Sequence, residues 1–244
     1  MNYTEQELRE AKRQIDSMLH KLRQTIKTFE AKENVHRYQS QITLAKRRTA
    51  AFEIASCLIE GELGRLSAPG RTVIIRKERK EDYAKIYSVV KRAFQQAEYK
   101  DGTEQDLIND LRDGDAYIPD LSLVAEAGGT VVGHIMFTKA MVGETEVLAL
   151  APLAVLPEYQ RQGIGTALIR EGHRIGRLLG YGYSVVLGSE KFYPRAGYLP
   201  ADTFGITAPF DVPREHYMVC RLNESAAEIR GVVHYAKEFG LDVS

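Results

Sequence analysis

Gly163 and Gly165 stand where an apolar run, Leu148 to Leu156, gives way to a helical pattern. Pro157 ends the run because it cannot donate to a sheet ladder. A helix opening at such a place presents unpaired N–H groups and the positive end of its dipole, which together form an anion site. Lacking Cβ atoms, positions 163 and 165 let a phosphate approach the backbone closely, and Arg161 adds a charge-assisted contact. Two nucleotide-binding patterns are excluded. A dinucleotide fingerprint requires a third glycine where Leu168 stands, and a phosphate-loop motif requires a Lys-Ser/Thr pair that is absent.

Other chemistry-bearing residues are scattered. His134 lies on the alternating run Val131 to Met136, where a single histidine is more often a hydrogen-bonded core residue. The stretch from Glu98 to Asp120 holds eight carboxylates, which suit either a groove attracting a cationic amine or solvated helix faces. Lys46-Arg47-Arg48 reads as a solvated turn of an amphipathic helix. Cys57 and Cys220 have no metal-type spacing and are expected to pack as small hydrophobes. No metal site is expected.

The elements that must position these residues fall into two sets. Residues 1–66 read as two long helices forming an antiparallel hairpin. Thr4 and Glu7 make a capping box, after which Leu8, Ala11, Ile15, Met18, Leu22, Ile26 and Phe29 draw one apolar stripe. A turn at Lys32-Glu33-Asn34 leads to a second stripe through Val35, Tyr38, Ile42, Ala45, Phe52, Ala55, Leu58, Ile59 and Leu63. Two helices alone bury little, so the hairpin is expected to lean on the other domain or on a second copy, a homodimer. Residues 67–70, Ser-Ala-Pro-Gly, are the linker. Residues 71–244 then alternate strands and helices: Val73 to Ile75, a helix over Glu81 to Phe94, strands at Leu121 to Glu126, Gly129 to Thr138 and Glu146 to Leu156, a helix from Gly163 to Leu179, and a strand at Tyr183 to Leu187. A short helix over Glu190 to Arg195, a strand at Glu215 to Leu222 and a last one near Gly231 to Tyr235 follow, giving a mixed α/β domain on one sheet.

The chain has equal numbers of basic and acidic residues, 33 of each, so no global field points to nucleic acid or an anionic membrane as partner. Its longest apolar run is too short to span a bilayer, and the charged first thirty residues carry no signal-like core, which points to the cytoplasm.

The segment Gln160-Arg161-Gln162-Gly163-Ile164-Gly165 resembles the coenzyme A loop of the GNAT N-acetyltransferase superfamily, and Phe192-Tyr193-Pro194-Arg195-Ala196-Gly197-Tyr198 resembles a second segment of that family. Ala151-Pro152-Leu153 and Val186-Leu187-Gly188 are most similar to its YhbS-like branch. The resemblance covers about Arg71 to Leu222 and leaves the hairpin outside. It implies a mostly antiparallel central sheet with splayed strands flanked by helices, and acetyl-CoA as cosubstrate. It further implies that backbone groups of Leu153, Ala154 and Val155 meet the pantetheine arm. The amides of Arg161, Gln162, Gly163, Ile164, Gly165 and Thr166 would hold the pyrophosphate, and an N–H near Ala154 or Val155 the oxyanion. Pro152 is consistent with a bulge in the strand. Tyr193 matches the family tyrosine that protonates the departing thiolate, with packing against the cofactor as the plainer role. Some members carry a carboxylate base on the strand before the loop. Val147 to Leu156 contains none, which leaves His134, Glu126 and Glu190 as candidates. The expected activity is acetyl transfer to a primary amine, on a small molecule or a peptide, by direct attack in a ternary complex. The alternative is a catalytically weak acyl-CoA-binding module whose hairpin mediates self-association or partner binding.

Overall fold

The computed structural model describes residues 3–32, 34–66, 73–95 and 102–241. The expected linker at 67–70, Glu33 of the first turn, and Glu98 and Asp101 of the acidic stretch lie outside them. Contacts divide the chain into two compact units, Met1–Thr72 and Val73–Ser244.

The first unit is a helical hairpin of α1 (Glu5–Glu30) and α2 (Gln39–Leu66). Thr4 caps α1: its hydroxyl accepts from the Glu7 amide at 3.3 Å, and the Glu7 carboxylate accepts from the Thr4 amide at 2.8 Å. Ion pairs Lys12–Glu60, Arg23–Glu53 and Glu30–Lys46 cross between the helices, one number rising as the other falls, which fixes them as antiparallel. At the turn, Phe29 and Tyr38 stack with ring centroids 5.0 Å apart, and the Lys32 ammonium lies 4.5 Å from the Tyr38 centroid. Leu8, Leu19, Ile42 and Ala45 are the buried contacts. Two expectations are corrected: Met18 of the first stripe is exposed while its neighbour Leu19 is buried, and Leu58 points outward, 70% exposed, because α2 carries apolar residues around more than one face.

The second unit is built on strands β1 (Val73–Lys77), β2 (Tyr117–Ala127), β3 (Thr130–Val142), β4 (Thr145–Val155), β5 (Tyr183–Leu187), β6 (Leu199–Pro200), β7 (Ile206–Thr207), β8 (Tyr217–Arg221) and β9 (Gly231–His234). The main order is β1-β2-β3-β4-β5-β8-β6, antiparallel except between β4 and β5. That parallel pair needs a crossover, supplied by helix α5 (Ile164–Leu178). Gly128 and Gly129 close the β2–β3 hairpin with φ of +56° and +79°, as a two-residue primed turn demands. Strand β9 pairs with the end of β3 and with β7, so the last expected strand exists and ties the C-terminal segment to the sheet.

Helix α5 packs on one sheet face at van der Waals distance because its inner side includes small residues. A Cβ at Gly172 would sit 2.2 Å from the ring of Phe137, which is fully buried. Gly172→Ala therefore overpacks a site that cannot give way. It is expected to cost about 1–3 kcal/mol of unfolding free energy in a urea titration. Helices α3 (Tyr83–Phe94) and α4 (Glu104–Asp113) belong to this unit too. The second was expected only as part of an acidic stretch; Ile108 and Leu111 anchor it in the core while Asp110 and Asp113 stay exposed. No helix among the described residues is long and apolar enough to cross a membrane.

Candidate active site

Strands β4 and β5 are paired only at Leu148–Ser184 and Ala149–Val185. Beyond those residues β4 runs on to Val155 and β5 to Leu187 without pairing with each other, so the sheet opens between them toward their C-terminal ends. The opening begins beside a bulge. Against β3, Leu150 faces Phe137 and Leu153 faces Ile135, so three steps on β4 match two on β3, and Pro152 sits within the extra turn of chain.

At the far end of β4 a tight turn leads into α5. The intrahelical ladder of α5 starts with the Ala167 amide bonding the Gly163 carbonyl at 2.9 Å, so the amides before it have no intrahelical acceptor. Arg161 adopts φ +59°, the sole non-glycine residue with positive φ among the described residues, and Gly163 adopts φ +82°. A left-handed arginine is a strained local geometry that the turn enforces. Side chains brace the turn from within: Gln160 donates to the Val155 carbonyl at 3.0 Å and Gln162 to the Glu158 carbonyl at 3.1 Å. Ile164 is buried and pins the first turn of α5 to the core. Leaving Gly163, the space beyond a built Cβ is open; at Gly165 it is walled by Phe192 at 3.2 Å and by Leu153 and Val155 at 3.8 Å. Thus Leu153 and Val155 face α5. Ala154 points to the opposite face, is buried, and pairs with His134 on β3. Thr166 is half-buried in the first turn of α5.

Tyr193 begins a short 3-10 turn, Tyr193–Ala196, just past the end of β5. The expected helix over Glu190 to Arg195 contracts to this turn because Pro194 leaves no room for a longer ladder. Its ring is fixed on three sides. Phe192 and Tyr198 meet it edge-on, with centroids 5.1 and 5.6 Å away, and Gly188 packs flat against it: a Cβ there would lie 2.2 Å from Cε2. Burial pushes the Tyr193 phenol up, so it holds its proton at neutral pH. Tyr198 is in turn locked by hydrogen bonds, 2.8 Å to Ser184 Oγ on β5 and 3.0 Å to His173 Nε2 on α5.

His173 is buried against this aromatic group, and desolvation, then the charge of Arg177, pulls its pKa down to about 3. An unfolded chain binds a proton there below about pH 6.5, whereas the folded chain does not until about 3. Stability is therefore expected to fall as pH drops through that window, by up to about 1.4 kcal/mol per pH unit, in thermal melts taken from pH 7 downward. His134, also held neutral by burial, adds to the same slope.

The three candidate bases separate clearly. His134 is fully buried; its Nε2 lies 3.1 Å from Ser122 Oγ and 3.3 Å from the Glu78 carboxylate. Glu78 is itself clamped by Arg112 through two 2.9 Å contacts and by Tyr117 at 2.8 Å, with Arg112 stacked on Tyr83. Hydrogen bonds from His134 and Arg112 hold its carboxyl well below the usual range despite burial. Sequence reasoning missed this network because Glu78 sits among the charged residues Lys77, Arg79 and Lys80, and no pattern marks it as interior. Glu126 is held by Arg76 at 2.7 and 2.9 Å, on β2 and away from the opening. Glu190, by contrast, follows the end of β5 and lies 3.3 Å from His216, whose carbonyl accepts the Gly188 amide at 2.8 Å. Among the carboxylates of the acidic stretch, Asp120 pairs with Lys77, Asp106 accepts from Tyr87, and Glu104 is buried at the start of α4. The Cys220 thiol is buried and raised to about 11, which makes it an inert packing group. No group of three or more metal-ligating side chains occurs among the described residues.

A sheet that opens beside a helix N-terminus can take an extended chain between its strands with an anion at the helix. Comparison with known proteins agrees with that geometry. The pattern of the Acetyltransferase (GNAT) family matches residues 80–198. The uncharacterized N-acetyltransferase YjhQ of Escherichia coli K12 is 42% identical over 142 residues, which cover 56% of this chain and 76% of YjhQ. The chain belongs to the GNAT acetyltransferase family. Two solved GNAT structures share the architecture. YhbS from E. coli, in complex with CoA, superposes with a TM-score of 0.64 at 28% identity, covering 71% of this chain and 94% of YhbS. A GNAT family acetyltransferase from Brucella melitensis, in complex with acetyl-CoA, gives 0.58 at 33% identity, covering 69% and 98%. The GNAT assignment makes this chain an acyltransferase.

Proposed function

We propose that this acetyltransferase carries the acetyl group of acetyl-CoA to a primary amine by direct attack in a ternary complex. The observation that supports this most is the two-residue limit of the β4–β5 ladder, which leaves an opening that leads to the uncapped first turn of α5. In this reading the backbone of Leu153, Ala154 and Val155 pairs with the pantetheine arm as an added strand would. The amides from Arg161 to Thr166 hold the diphosphate, and the open space at Gly163 allows its approach. Acetyl-CoA as donor is supported by the ligands of the Brucella and E. coli structures.

The chemistry follows from the groups around the opening. The amine nitrogen forms a bond to the thioester carbonyl carbon, and an N–H near Ala154 or Val155 stabilises the oxyanion. The C–S bond then breaks, and Tyr193, which burial keeps protonated, gives its proton to the departing sulfur. The proton lost by the amine goes to Glu190, which follows the end of β5 and lies 3.3 Å from His216. Exposed Asp110 and Asp113 on α4 support a cationic acceptor, such as a polyamine, an aminoglycoside or a lysine side chain. Residues 1–66 are read as a separate helical hairpin joined by residues 67–70 to the catalytic domain, 71–244.

Release of free thiol from acetyl-CoA, measured across those three amine classes, tests the proposal. One class is expected to stimulate release, and Glu190→Gln to lower kcat/KM for that amine about 100-fold with acetyl-CoA affinity unchanged. Acetyl-CoA binding without transfer to any amine would leave a binding module instead.

A further inference from the structure

Helix α2 has two apolar sides. Ile42, Ala45, Phe52 and Ile59 turn toward α1, whereas Leu44, Ala51, Ile54 and Leu58 lie on the opposite side. Their spacing of seven, three and four residues, completed by Arg47 and Gly61, is that of a coiled-coil seam. Leu44, Ile54 and Leu58 are 50%, 63% and 70% exposed. Helix α1 has no such second stripe; Met18 is its one exposed large apolar side chain. An apolar seam broken by one charge, Arg47, on an otherwise charged hairpin is a surface that a partner covers.

The residues flanking the seam say which partner. One flank carries Arg48, Ala55 and Glu62 at steps of seven; the other carries Ala50 and Cys57. Two copies of α2 laid antiparallel about a two-fold axis set Ala55 beside its own mate and Arg48 opposite Glu62 of the second copy. Symmetry makes that ion pair twice. A parallel arrangement would set one flank against the other instead, Arg48 beside Thr43 and Glu62 beside Cys57 of the second copy, with no ion pair, so the charge pattern selects the antiparallel sense. On the other flank Ala50 and Cys57 are small enough for the helices to approach closely, and Cys57 falls near the axis.

We propose that the outer face of α2 is an antiparallel homodimer interface centred between Ile54 and Leu58, with Arg48 and Glu62 paired across it. The inference is independent of the acetyltransferase mechanism, since no residue of the hairpin enters that chemistry.

Light scattering on the full chain tests it directly, and a dimer is expected. Ile54→Glu combined with Leu58→Glu should raise the dimer dissociation constant about 100-fold or more while circular dichroism stays helical. Arg48→Glu alone and Glu62→Arg alone should each weaken the dimer, and the two together should restore it, a rescue that misfolding would not produce. A bifunctional maleimide should join two copies through Cys57, Cys220 being buried, and Cys57→Ser should abolish the product. A monomeric full chain, with the seam covered by the rest of its own sequence, would overturn the proposal. So would a dimer indifferent to the two glutamates, or a charge reversal without rescue.

Discussion

Tyr193→Phe lowers kcat about 100-fold or more and leaves the affinity for acetyl-CoA within about twofold of the parent. The reasoning starts from packing. The Tyr193 ring is held by Phe192 and Tyr198 edge-on and by the bare backbone of Gly188, so phenylalanine fills the same space and removes only the hydroxyl. Burial keeps that hydroxyl protonated, as the donor of a proton to a thiolate must be. Loss of a proton donor acts on the transition state, so the effect falls on kcat. Gly188→Ala tests the same assignment from the other side. Its new methyl would lie 2.2 Å from Cε2, so the ring must move and activity should fall with the hydroxyl still present. Steady-state kinetics with the preferred amine, and acetyl-CoA titration by calorimetry, separate the two effects. Unchanged turnover in Tyr193→Phe would end the general-acid role.

The second large effect belongs to the turn before α5. Gly163→Val is expected to weaken acetyl-CoA binding about 10- to 100-fold, equivalent to about 1.4–2.8 kcal/mol. Valine is poorly suited to φ +82°, and its branch would project into the open space where the diphosphate must come. The amides from Gly163 to Thr166 would then be screened from the ligand or turned away from it. Overall stability should also fall, by about 1–3 kcal/mol, because a β-branched residue is strained at φ +82° although the space around Gly163 is open. Calorimetry of acetyl-CoA binding, set beside a urea titration, checks both halves of the expectation.

How much was legible in the sequence depended on whether a residue's role is local. The Thr4–Glu7 cap and Gly163 at the start of α5 are both decided by backbone conformation within a few residues, and sequence exposes that directly. The bulge at Pro152 was readable for the same reason, since proline cannot donate to a regular central ladder. Features that depend on distant partners were not. Helix α4 hides behind its aspartates, because only Ile108 and Leu111 reveal an inner side. The Glu78–Arg112–His134 network joins the end of β1, α4 and β3, and its members are more than twenty residues apart in sequence. Likewise, Tyr198 stood inside a recognisable segment, but its bonds to Ser184 and His173 come from two other elements. Leu58 was placed on the wrong side of α2 since 3-and-4 spacing yields two valid stripes when a helix is apolar on both faces.

The measurement that bears most directly on the account is a crystal structure of the full chain with acetyl-CoA. The account predicts the diphosphate within hydrogen-bond distance of the amides between Arg161 and Thr166, and the thioester between β4 and β5 within reach of Tyr193. A ligand bound elsewhere, with β4 and β5 paired beyond Ala149 and Val185, would contradict it.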